Sequence, residues 1–181
     1  RDFQWSNEFA PWGKVTLKNL IKFLDNLGVN KAILLATSSW NMKNLLPTEI
    51  VLESCRKNQD RLIPFCTAEV REIYLEEKLI RYKNLGCLGV GEHTSRIRID
   101  HRLNLRLYQV CGRLELPILI HSAISKSDPY GTLDTFNLDG LERVLKTYSN
   151  VDFIMHGPGW WRSVSAAIDD LNITYPTVKI E

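Results

Sequence analysis

Leu116-Pro-Ile-Leu-Ile-His121 is a short apolar run that stops at a single histidine. Its length and composition suit a strand buried on both faces. Two further runs end in the same manner. Cys87-Leu-Gly-Val-Gly-Glu92 stops at a carboxylate, and Val151-Asp-Phe-Ile-Met-His156 stops at a second histidine. Helical spacing surrounds all three. A helix is expected over about Glu72–Leu85, with Leu75, Leu79, Ile80, Tyr82 and Leu85 as its apolar set and Gly86 as its end. A second, about Asn104–Leu114, precedes the His121 run. A third, about Leu138–Tyr148, precedes the His156 run.

The upstream half repeats the scheme. Thr16 is placed to cap a helix reaching Leu27, with Leu17, Leu20, Ile21, Leu24 and Leu27 on one face and Gly28 at its end. Lys31–Ala36 reads as a buried strand and Thr37–Trp40 as a polar loop. Pro47-Thr48 opens another helix, and Leu62–Cys66 reads as a strand in which Pro64 withholds a ladder donor. Five strands thus alternate with helices, the pattern of a parallel sheet with helices packed on it. Helix-to-strand loops are short, often a lone glycine, whereas strand-to-helix loops are longer and polar. That asymmetry places function at the C-terminal ends of the strands. No phosphate-binding glycine loop follows any strand. Gly89-Val-Gly91 comes nearest, but it runs into Glu92.

Bulk properties narrow the class. The 181 residues suffice for one domain with a real core, and 44% apolar content is ordinary for a globular chain. A net charge of +2, with no basic block, gives no support for a nucleic-acid surface. No apolar run approaches the ~20 residues of a membrane helix. Four scattered cysteines, Cys55, Cys66, Cys87 and Cys111, form no Cys-x-x-Cys pair, and buried reduced thiols suit a cytoplasmic location. Residues 1–15, with Trp5, Phe9, Pro11, Trp12 and Gly13, read as a structured loop, either a packing lid or a cover over a pocket.

Glu92, His121 and His156 occupy equivalent positions in successive strand–helix units, so they face one rim of the sheet. Two imidazoles and a carboxylate make a natural ligand set for a divalent metal ion, Zn²⁺ first and Mn²⁺ or Fe²⁺ as alternatives. His93 follows Glu92 directly and is expected to point away from it. His101 is expected to be exposed or behind the ligands. Trp160 and Trp161, in the stretch after His156, either wall a substrate pocket or pack a loop. Ser122 either bonds a ligand or is a turn residue.

Gly91-Glu92-His93, Pro117–Ser122 and Phe153–Gly159 resemble the later strand ends of the amidohydrolase superfamily. The resemblance is strongest to its amidohydrolase-related branch, which includes metal-dependent decarboxylases. Gly28–Leu35 and Arg61–Phe65 resemble that family's strand-two and strand-three segments, so the similarity runs from about Thr16 to Trp161. It implies a (β/α)8 TIM barrel forming a single domain over residues 1–181. It implies one or two divalent ions, with Glu92 at the strand-four position as a bridging or simple ligand. His121 would be the strand-five ligand, and His156 a strand-six ligand or a group polarising the substrate. Glu92 and His156 are then the catalytic residues, with Trp160, Trp161 and Ser122 toward the substrate.

The function so implied is hydrolysis, a metal-bound hydroxide attacking the carbonyl of a small-molecule amide, ester or lactone. Decarboxylation on the same scaffold, a TatD-like nuclease, and an inactive fragment are the alternatives. The family's strand-one His-x-His is absent, and its strand-eight aspartate has no candidate. By this register strands 1, 7 and 8 fall outside the chain, which is short of the ~250 residues of a typical barrel. Open strand edges also leave room for a homo-oligomer.

Overall fold

The computed structural model describes residues 16–39, 42–124 and 131–157. Helix α1 (Leu17–Asn26) starts where the Thr16 hydroxyl accepts the Asn19 N–H at 3.2 Å. Gly28 follows at φ +68°, a left-handed conformation that side chains oppose. Strand β1 (Ala32–Leu35) leads into β2 (Thr37–Ser39) and β3 (Met42–Leu46). These two pair antiparallel, Thr37 opposite Leu46 and Ser39 opposite Met42, where the sequence suggests a polar loop. Strands this short carry too little periodicity to be read.

Helix α2 (Thr48–Arg56), β4 (Leu62–Cys66), α3 (Leu75–Asn84), β5 (Gly89–His93) and α4 (Arg102–Arg113) follow. After them come β6 (Ile118–Ala123), β7 (Thr132–Leu133), α5 (Asp139–Thr147) and β8 (Phe153–His156). The main sheet runs β1-β4-β5-β6-β8, with every pairing parallel. The short β7 adds to the end of β6 through Ser122↔Thr132 and Ala123↔Leu133. The expected alternation is present, extended by β2, β3 and β7. No described helix is long and apolar enough to cross a membrane.

Two local differences have physical causes. Helix α3 begins at Leu75 rather than Glu72 because the Arg106 guanidinium takes the carbonyls of Glu72 and Ile73 at 2.9 and 2.7 Å. Those oxygens are therefore diverted from a further helical turn. Pro64 is tolerated because the β4–β5 ladder begins only at Phe65↔Gly89. Its own carbonyl still accepts the Leu88 N–H at 2.9 Å.

Alternation along the strands separates two faces. One face carries Leu62, Cys66, Val90, Ile118 and Ile120 against the helices. Leu79, Leu107, Tyr108 and Val144 complete the larger cluster there, and Leu24, Val51 and Cys55 join Leu62 in the smaller. Each such buried side chain contributes roughly 1.5–3 kcal/mol. All four cysteines are buried and free, in keeping with the sequence reading. The other face carries Ile33, Ile63, Phe65, Leu119 and Ile154, which belong to neither cluster; Ile33 and Ile154 are 39% and 37% exposed. On this face Gly89 makes room for the Phe65 ring, since a Cβ there would come within 2.3 Å of it.

Helix α5 owes its start to a distant carboxylate. Asp134 is buried and accepts the Gly140 and Leu141 N–H groups at 2.9 and 2.8 Å, and the Thr135 N–H at 2.8 Å. Its removal strands two donors at the helix N-terminus and one in the loop before it. Asp134→Ala is expected to lower unfolding stability by about 2 kcal/mol, read as a shift of the urea midpoint at constant slope. An unshifted midpoint would contradict this capping role.

Candidate metal centre

Parallel register brings the strand-end residues together. His121 of β6 and His156 of β8 are direct register partners, so their side chains leave the same face. Their rings stand edge to face with centroids 4.8 Å apart. On the other side of β6, β5 departs from regular register. Val90 pairs with Ile118 but His93 pairs with Ile120, so three residues of β5 answer two of β6. Such an irregularity re-aims a side chain. Glu92 points to the histidines while His93 turns to the helix side.

One carboxylate oxygen serves both rings. Glu92 Oε1 lies 2.8 Å from His121 Nδ1 and 2.7 Å from His156 Nε2. The second approach is close but poorly aligned, and His156 Nε2 is buried without a proper hydrogen bond. Burial pushes the Glu92 carboxyl up, yet contact first with His121 and then with His156 outweighs it and holds the group at about 2. Glu92 is therefore an anion that only accepts.

The residues present fit a divalent ion. One ligand atom from each of Glu92, His121 and His156 lies within 4.8 Å of the other two. Donors around one first-row ion, with bonds near 2.1 Å, lie roughly 3–4 Å apart, so a small adjustment suffices. The unsatisfied buried nitrogen of His156 is the observation that favours an ion over a closed hydrogen-bonded cluster.

The other expected residues divide. His93 is buried on the opposite side, where burial pushes its ring down to about 4 and keeps it neutral. His101 is exposed and starts α4, its Nδ1 accepting the Leu103 N–H at 3.2 Å. Ser122 is not a turn residue: it lies within β6, 2% exposed and one residue past His121, so alternation sends it to the helix side, away from the ligands. Trp160 and Trp161 lie outside the described residues, as does the opening loop 1–15.

Two features had no sequence reading. Asn104, Ser95 and Thr132 form a buried polar chain behind Glu92. Asn104 is a buried polar residue in the first turn of an amphipathic helix. In addition, Gly131 and Gly157 border the His121 ring; a Cβ at either would come within about 3.2 Å of it.

No family model matches the sequence, and no curated protein matches it in sequence. Solved structures do match in fold. An uncharacterized TIM-barrel protein from Bordetella bronchiseptica aligns at TM-score 0.63 and 14% identity, over 87% of this chain and 57% of that one. A 5-carboxyvanillate decarboxylase from Novosphingobium aromaticivorans, with manganese and a nitrobenzoic acid bound, aligns at 0.59 and 16%, over 88% and 58%. A 2,6-dihydroxybenzoate decarboxylase from Rhizobium aligns at 0.56 and 14%, over 78% and 55%. The chain spans little more than half the length of these proteins. In fold the chain matches part of a TIM barrel.

Gly157 tests the packing of the ligand rings. It sits at φ +104°, and a Cβ there would lie 2.9 Å from the Ser122 carbonyl oxygen and 3.0 Å from His121 Cδ2 and Nε2. Gly157→Ala is expected to destabilise the protein by about 1–3 kcal/mol, measured by chemical unfolding. Wild-type stability in this variant would refute the contact.

Proposed function

We propose that this chain, with the fold of the amidohydrolase-related TIM-barrel proteins, carries a divalent-metal site acting on a small carboxylated molecule, and that the reaction is decarboxylation. The convergence of Glu92, His121 and His156 at the C-terminal ends of three neighbouring parallel strands carries this reading. Its support comes from similar folds among decarboxylases, one with manganese bound. Manganese is accordingly the first ion, with zinc and iron equally compatible with the donor set.

Glu92 would hold the ion through its anionic oxygen, His121 through Nδ1 and His156 through Nε2. A bound divalent ion supplies Lewis acidity toward carboxylate and carbonyl oxygens. His121 and Glu92 are 12% and 13% exposed, whereas His156 is 40% exposed, so His156 is the group a substrate reaches. In decarboxylation the bond to the carboxylate breaks, CO2 leaves, and the remaining carbon gains a proton. That proton would come from solvent, since His156 Nε2 would be committed to the ion. Hydrolysis of an amide, ester or lactone would use the same three residues.

The test combines metal titration with two substrate panels. Purified protein is expected to bind Mn²⁺, and Glu92→Gln and His121→Ala are each expected to weaken binding by at least about tenfold, as loss of a direct ligand does no less harm than loss of a supporting contact. CO2 release from hydroxylated benzoates supports decarboxylation; turnover only of esters or lactones replaces it with hydrolysis. Failure to bind Mn²⁺, Zn²⁺ or Fe²⁺ would sink the metal reading.

A further inference from the structure

The polar chain behind Glu92 is the largest group of buried hydrogen bonds outside the ligand cluster among the described residues. His93 Nε2 meets Asn104 Oδ1 at 3.0 Å. The Asn104 amide donates to Ser95 Oγ at 3.0 Å and to the Arg98 carbonyl at 2.7 Å. Ser95 Oγ lies 3.2 Å from Thr132 Oγ1, and Thr132 Oγ1 in turn donates to the His93 carbonyl at 3.3 Å. Thr132 Oγ1 also accepts the Ser95 N–H at 3.3 Å. His93, Ser95, Asn104 and Thr132 are all buried.

The chain closes on itself and joins three elements. It begins at the residue after Glu92, crosses to α4, returns to the segment following β5, and ends on β7. His93 is thereby held at its ring by α4 and at its carbonyl by β7. The ladder resumes at His93, opposite Ile120, so the ring adds a second hold at the point where pairing is recovered after the irregular stretch that follows Val90. Glu92 sits inside that irregular stretch, bordered on its C-terminal side by the anchored His93.

We propose that the His93–Asn104–Ser95–Thr132 ring is a positioning device for Glu92, fixing the backbone from which its carboxylate reaches His121 and His156. It rests on the metal reading above for its effect on ion binding. Its effect on the ligand geometry stands without an ion. None of the hydrogen bonds above ends on the side chain of Glu92, His121 or His156, so the ring acts through the backbone. A satisfied buried network specifies one arrangement, whereas a broken one leaves donors stranded and the strand end free to shift. Loss of such supporting contacts commonly lowers metal affinity 10–100-fold.

Thr132→Val removes the hydroxyl at nearly constant volume, and Thr132→Ser restores it. Co²⁺ serves as probe, since its visible absorption reports coordination geometry. Thr132→Val is expected to weaken Co²⁺ binding at least tenfold and change the spectrum, and Thr132→Ser to recover both. Val51→Ala, in the smaller apolar cluster beside α2, is the control for lost stability and is expected to bind Co²⁺ as wild type does. Equal affinity and spectra for Thr132→Val and wild type would overturn the positioning role, as would a Val51→Ala loss matching that of Thr132→Val. Imidazole ¹⁵N spectra of the ion-free proteins supply an independent reading. Altered His121 and His156 signals in Thr132→Val support the proposal; unchanged signals refute it. A wild-type protein that fails to bind Co²⁺ overturns the metal reading, and the ¹⁵N spectra then decide the positioning role alone.

Discussion

A single oxygen, Glu92 Oε1, within 2.8 Å of two imidazole nitrogens, is the contact on which the site depends. It requires three strand ends to arrive at one height and on one face. For the histidines, parallel pairing meets both conditions, because His121 and His156 are register partners. For Glu92 it does not. The extra residue in β5 turns the carboxylate toward them, and side chains on α4 and β7 add to the hold at His93, where pairing with Ile120 resumes. The same region thus contains the most regular and the least regular pairing in the sheet, and both are used.

How far the site was legible in the sequence follows from this division. Each of the three residues terminates an apolar run, and burial of both strand faces makes such runs conspicuous. His121 and His156 therefore stood out, and alternation alone placed His93 opposite Glu92. An apolar run that ends at His121 leaves Ser122 either to bond a ligand or to make a turn; pairing with β7 carries the strand on to Ala123. Thr132 and Ser95 were invisible for a related reason. They are small hydroxyl residues in segments without periodicity, where such residues ordinarily mark solvated turns. Only the tertiary pairing of Ser122 with Thr132 encloses them. The start of α3 was misplaced because Arg106, thirty-three residues after Ile73, decides it.

The two faces of the sheet also explain what was easy and what was not. Helix periodicities could be read because α1 to α5 bury one stripe each against the same side. The opposite side, with Ile33, Ile63, Phe65, Leu119 and Ile154, corresponds to the interior of a barrel, where layers of side chains from several strands fill the centre. Gly89 and Gly91 belong to that face, and a Cβ at either would collide with Phe65 or Leu119. The glycines that suggested a phosphate loop are thus spacers between large neighbours in an interior layer.

Because Glu92, His121 and His156 come from adjacent parallel strands, the spacing of the cluster is a property of the sheet. Neighbouring strands lie about 4.8 Å apart, and the two histidine rings are separated by 4.8 Å. Changes in the helix layer that tilt β6 and β8 together carry both imidazoles with them and preserve that separation. Glu92 is different, since it lies in the irregular stretch between the Val90 and His93 pairs and its neighbour is held by side chains as well as by the ladder. A disturbance near α4 or β7 therefore acts on the carboxylate relative to the rings, the one coordinate that regular pairing leaves loose. Sensitivity of the centre to distant substitution should then follow connection to β5 rather than distance from the ligands, which is the behaviour of a site whose parts are held by two different kinds of bond.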